Sequence, residues 1–100
     1  MNILITARKF KARQTLKDFI SSEVTTLKKY NDDIMSADVK LSYLNTKDSI
    51  KSAEIILQVP GQILSATDES DDFEKSVSYA VEKLSRQLKK LKTKRVQKVR

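Results

Sequence analysis

A chain of 100 residues with a net charge of +7 fits one domain, able to bury roughly 65% of its unfolded-chain surface around a single small core. It holds no cysteine and no histidine, which excludes disulfides, thiolate nucleophiles, imidazole bases and nearly all zinc or haem chemistry, so no catalytic residue, metal or cofactor is expected. No apolar run approaches the ~20 residues of a membrane span, and residues 1–10 are charged too early for a secretory signal, so a cytoplasmic protein without a membrane or small-molecule partner is expected.

Along the chain, NILITA (2–7) alternates Ile3, Ile5 and Ala7 with Leu4 and Thr6, the period of a strand. A basic connector, RKFKAR, follows. Leu16, Phe19, Ile20, Val24 and Leu27 then line one side of a helix over about 13–30, which Asn31-Asp32-Asp33 stops. Residues 38–44 place Val39, Leu41 and Tyr43 on one face and Lys40 and Ser42 on the other. Residues 51–59 repeat the pattern with Ala53, Ile55, Leu57 and Val59. Both read as strands, joined by the polar loop NTKDS, and Pro60-Gly61 specifies a type II turn into a further strand over 62–68.

Ser70-Asp71-Asp72 offers an N-cap, with acids at the positive end of a helix dipole. Phe73, Val77, Ala80, Val81, Leu84, Leu88 and Leu91 recur at helical spacing beyond it. After Leu91 the apolar pattern stops, so residues 1–92 read as one domain and 93–100 as a basic, flexible tail. The expected order is β-α-β-β-β-α. A right-handed crossover between the first two strands makes this an α+β two-layer sandwich, a four-stranded mixed sheet with two helices packed on one face. Leu4, Ile56 and Leu64 are expected on the uncovered face.

The charge is segregated: residues 1–82 carry 11 Lys/Arg against 13 Asp/Glu, whereas residues 83–100 carry nine Lys/Arg and no acid. A step of about 100° per residue places Lys75, Tyr79, Lys83, Arg86, Lys90 and Lys94 opposite the leucines. Cations one helical turn apart, about 5.4 Å, suit successive phosphates, and Arg86 can fork onto a phosphate or a base edge. A lysine-rich outer face is usually only solvated surface. Such a face normally interleaves Glu with Lys in i,i+4 pairs, however, and from residue 83 onward this one forgoes them, which favours a polyanion-binding role.

The run Lys83-Leu84-x-Arg86-Gln87-Leu88-x-Lys90-Leu91, within DDFEKSVSYAVEKLSRQLKKLKTK, resembles the final helix of the ribosome hibernation-promoting factors and the related ribosome-associated inhibitors of translation. LKDFISSEVTTLKKYNDDI resembles their first helix, and SAEIILQVPGQILSATDESDDF their third and fourth strands. The similarity covers residues 1–95. It implies a short hibernation factor without enzymatic activity, monomeric when free. Such a protein binds rRNA of the small ribosomal subunit, and the intact ribosome, near the decoding centre. It blocks mRNA and tRNA binding and inhibits translation in resting or stressed cells, either on single ribosomes or by also promoting ribosome dimers. Carried over by position, the matching rRNA-binding cations are Lys83, Arg86, Lys90 and Lys94, with Lys29 on the first helix. Lys89 and Arg95 extend the basic set.

Some positions depart from the family pattern. Glu23 and Thr26 stand where relatives carry cations, Arg13 replaces a capping threonine, and Glu74 replaces an aromatic residue. The chain as given carries neither a second dimerisation domain nor an acidic tail. Three other readings are weaker. A general RNA-binding module of dsRNA-binding-like shape would lack ribosome specificity. A magnesium-dependent nuclease would draw on Glu54, Asp68, Glu69, Asp71 and Asp72, but helix-start acids are explained by the dipole. A protein-interaction module would use the leucine stripe for dimerisation, but the stripe is more simply core, or a basic tail to dock an acidic partner or a membrane surface, for which the charged face lacks the Trp or Phe of an interfacial helix.

Overall fold

In a computed structural model, residues 1–45 and 50–99 are described, with backbone alone at 45 and 92–99. The alternation at the N-terminus forms β1 (Asn2–Ala7), with Ile3 and Ile5 packed inward and Leu4 turned to solvent. The connector leads into α1 (Gln14–Thr25), and the chain returns as β2 (Ser36–Asn45), β3 (Ile50–Val59) and β4 (Gln62–Ser70) before α2 (Phe73–Val99). The sheet order is β1-β2-β3-β4. β1 runs parallel to β2, and the other neighbours are antiparallel. The expected order and mixed sheet are found. The loop expected at NTKDS lies, apart from Asn45, outside the described residues.

Both helices cover one face. Val39, Leu41, Ala53, Ile55, Leu57 and Val59 from the sheet meet Ile20, Val24 and Leu27 from the first helical segment and Val77, Ala80, Leu84 and Leu88 from α2, all fully or almost fully buried. These side chains alternate out of the strands on one side and recur every three or four residues on the helices, which lets one core take all of them. Gly61, at φ +85°, fills the left-handed position after Pro60 that closes the β3–β4 hairpin.

The uncovered face differs from expectation at one position. Leu64 pairs with core-facing Leu57 and packs against the core, while its neighbour Ile63 is 61% exposed. The period of two assigns alternate residues to opposite faces, so entering β4 one residue out of phase exchanges Ile63 for Leu64. Leu4, 62% exposed, stands beside Asp38, whose Oδ1 is buried with no hydrogen-bond partner among the described residues.

The first helix also departs from the expected span, because α1 gives way after Thr25 to a 3₁₀ turn over Thr26–Lys29. Thr25 Oγ1 donates to the Ser21 carbonyl and Thr26 Oγ1 to the Glu23 carbonyl, each at 2.6 Å. Hydroxyls bonded back to helix carbonyls compete with the backbone ladder and favour tightening of the last turn. Leu27 remains fully buried through this change, and Lys28 and Lys29 stay exposed.

At the opposite end of the helices, Phe10 stacks on Phe73 with centroids 5.0 Å apart. Tyr43 meets both rings edge-on at 5.1 and 5.3 Å. Asp72 caps α2, accepting the Glu74 amide at 3.1 Å, and buried Ser76 ties the first turn to β3 by donating to the Lys51 carbonyl at 2.7 Å. The α2 backbone continues through the stretch expected as a tail to Val99.

Leu84→Ala is expected to destabilise the protein by about 2–5 kcal/mol, since it empties a site sealed by the sheet. Leu4→Ser on the uncovered face should stay within about 0.5 kcal/mol. Urea unfolding of the two variants measures both.

Candidate nucleic-acid interface

Burial of Leu84 and Leu88 fixes the rotation of α2, so Lys75, Tyr79, Lys83, Arg86 and Lys90 all emerge on its exposed side. Three of these cations are already engaged, Lys75 with Asp71 Oδ1 at 3.4 Å. Lys83 Nζ lies 3.0 Å from Asp68 Oδ2 and donates to the Thr67 carbonyl at 3.1 Å. Arg86 Nη2 lies 2.6 Å from Glu82 Oε1, one turn back on the same helix. The expectation of a stripe without acid partners from residue 83 onward is therefore corrected. Glu82 precedes that stretch by one residue, and Asp68 reaches it from β4, where helical periodicity gives no sign of it. Lys90 is exposed and forms no ion pair among the described residues.

The Lys83 ammonium, hydrogen-bonded to Asp68, holds that carboxyl below the usual carboxylate range, with partial burial opposing the shift and the Glu69 amide assisting it. Lys83 keeps half of its side-chain surface exposed, 51%, so the pair leaves an ammonium accessible to a further anion.

The first helical segment contributes where the 3₁₀ turn ends. Lys29 Nζ and Lys89 Nζ each lie 5.2 Å from the centroid of the Tyr30 ring, so one half-buried aromatic gathers a cation from each helix. Each contact is of the cation–π kind, about 0.5–1 kcal/mol at an exposed site, and offsets part of the repulsion between the two ammoniums. Tyr30 was absent from the expected set, although an aromatic directly after Lys28-Lys29 at a helix end is the sequence signal that marks it. Lys29, Lys83, Arg86, Lys89 and Lys90 are all exposed, Lys29 and Lys89 meeting at this ring, whereas the side chains of Lys94 and Arg95 lie outside the described residues.

The departures on α1 have structural partners. Glu23 Oε1 accepts the Ser78 hydroxyl at 2.9 Å, which joins α1 to α2, and Thr26 closes the helix end. The acids considered for metal chemistry are not assembled: Glu54 pairs across the strands with Thr67 and Asp68 with Ala53, so they point to opposite faces of the sheet. Among the described residues no group of three candidate ligands could hold a metal ion. No helix among them is long and apolar enough to cross a membrane.

Fold and surface together define a small α+β protein whose helix pair displays exposed cations around an aromatic hub. The chain belongs to the family described as sigma 54 modulation protein / S30EA ribosomal protein, whose model matches residues 3–96. It is 26% identical over 91 residues to a ribosome hibernation promotion factor of Deinococcus radiodurans, covering 89% of this chain and 48% of the relative. The chain thus spans about half the length of that curated relative. The N-terminal domain of Thermus thermophilus Protein Y superposes with a TM-score of 0.81 at 26% identity, covering 91% of this chain and 99% of that one. A ribosomal subunit interface protein from Coxiella burnetii gives a TM-score of 0.83 at 25% identity, covering 93% and 99%.

Because the folded-state pKa of Asp68 is depressed, its pair with Lys83 contributes stability at neutral pH. That contribution fades as pH falls below about 4 and through the folded value. Asp68→Asn should cost about 0.5 kcal/mol at pH 7, a small amount because Lys83 is half exposed, with the difference from wild type vanishing in acid. Unfolding curves of both proteins across pH 2–7 check the sign.

Proposed function

We propose that the protein is a ribosome hibernation factor. It binds rRNA of the small subunit near the decoding centre, occupies space that mRNA and tRNA need, and so inhibits translation in resting or stressed cells. The observation that carries this reading is the gathering of Lys29 and Lys89 on Tyr30 beside exposed Lys83, Arg86 and Lys90, in a chain of this family. The names of the relatives support it, since one is a hibernation promotion factor and another a ribosomal subunit interface protein.

The roles follow from side-chain chemistry. Arg86 is the forked donor, able to leave Glu82 for a bidentate phosphate contact, because an exposed i,i+4 pair holds it by only about 0.3–0.5 kcal/mol. The lysines are compact point charges that neutralise phosphates and release condensed counterions. Lys94 and Arg95 prolong the same run of positive charge. No bond is made or broken; the effect is occupancy of the channel by a folded domain.

Sedimentation of small subunits with the protein should show binding that weakens steeply with salt, with a log–log slope of about −3 to −5 for ~5 phosphates contacted. The variant Lys29→Glu/Arg86→Glu/Lys90→Glu should stay folded, lose at least tenfold in affinity and stop inhibiting cell-free translation. Unchanged inhibition by that folded variant would refute the assignment. Resolving subunits, monosomes and dimers on the same gradients also tests whether the protein pairs ribosomes. Equal affinity for naked RNA of any sequence would favour a general RNA-binding module.

A further inference from the structure

We propose that the connector between β1 and α1 is a second polyanion-binding surface, and that its ligand is an RNA strand gripped separately from the cations of the helix pair. This deepens the RNA-binding reading above and rests on it for the choice of ligand. Four of the six residues 8–13 are cations, and Arg8, Lys9, Lys11 and Arg13 are all exposed. Phe10 and Ala12 pack against the core between them. The clamp of Phe10 on Phe73 and Tyr43 therefore holds the backbone while the charges face outward.

Two of these positions keep a cation where the local fold would be better served by another residue. Arg13 is the N-cap of α1 and makes no side-chain cap hydrogen bond, and the first turn contains no acid. Ser, Thr, Asp or Asn would satisfy an amide there, and a cation at the positive end of the helix dipole is unfavourable. Lys9 sits at φ +62°, in the left-handed region that glycine or asparagine adopts with less strain.

Internal charge balance does not account for the connector. The first acid in the chain is Asp18, whose Oδ1 accepts from Gln14 at 2.8 Å. At the nearby start of α2, Asp71 pairs with Lys75 and Asp72 caps the helix. None of the four connector cations forms an ion pair among the described residues. An anionic membrane fits poorly as the partner, because the connector's aromatic ring is turned inward instead of outward as an anchor. The 12 residues of α1 and the four of the 3₁₀ turn after it separate the connector from Lys29 by roughly 25 Å, about three times the screening length at physiological salt, so the connector and the Lys29–Lys89 pair act as separate grips.

The test uses the full chain with Arg8→Ser, Lys9→Gly, Lys11→Ser and Arg13→Ser together. Its probes are small ribosomal subunits, a fluorescent 20-nucleotide single-stranded RNA, and phosphatidylserine vesicles. The melting temperature should be unchanged or raised, since serine caps α1 and glycine relieves position 9. Affinity for both RNA probes should fall at least tenfold, with the salt slope shallower by about 2–3. Should the quadruple variant unfold, Arg8→Glu/Lys11→Glu, which leaves positions 9 and 13 intact, is read in its place. A folded variant with unchanged affinity and slope overturns the proposal. So does a melting temperature lowered in both variants without loss of RNA binding, or wild-type binding to vesicles in preference to RNA. A wild type that ignores subunits but loses the oligonucleotide on connector substitution sinks the ribosome reading and leaves this one standing.

Discussion

Packing of the α2 seam on the sheet is the constraint on which the rest depends. Val77, Ala80, Leu84 and Leu88 are almost wholly removed from water against β3 and β4, in one core cluster with Ile55, Leu57 and Ala66. Each fully buried Val or Leu contributes about 1.5–3 kcal/mol relative to exposure. A helix held by three such side chains, with Ala80 between them, has one rotational setting. Lys83, Arg86 and Lys90 are therefore aimed by residues that never touch a ligand, and a one-residue slip of the seam would carry the cations round toward the sheet.

The end of the first helix shows a second way of aiming a side chain. Thr25 and Thr26 bond back to the ladder, the helix tightens to a 3₁₀ turn, and Leu27 stays buried while Tyr30 arrives beside α2. Lys29 then meets Lys89 at a single ring. Polar hydroxyls thus do at this end what leucines do in the middle of α2: they decide direction.

Much of the fold was legible because its signals are periodic. Ile3 and Ile5, Val39 and Leu41, and Ile55 and Leu57 alternate, while the α2 seam recurs every three or four residues, and both patterns follow directly from backbone geometry. Ile63 and Leu64 exchanged places because two adjacent apolar residues leave the phase of a short strand undetermined. The exposed side of α2 was readable from its leucines, but Asp68 beneath Lys83 and Glu23 against Ser78 were not, since pairs 15 and 55 residues apart in the chain belong to no local period. Tyr30 stood in plain sight in the sequence, yet its role exists only once two helices converge.

Gathering cations on one folded surface works against stability, since like charges repel in the compact state and separate in the unfolded one. The protein offsets this locally. Asp68 holds Lys83, Glu82 holds Arg86, and the π face of Tyr30 receives Lys29 and Lys89. Each partner is individually weak: exposed ion pairs and cation–π contacts contribute about 1 kcal/mol or less. That weakness suits a binding surface. Partners worth several kcal/mol would have to be displaced before a phosphate could take their place, whereas these hold the free protein together and yield to a polyanion that offers several charges at once.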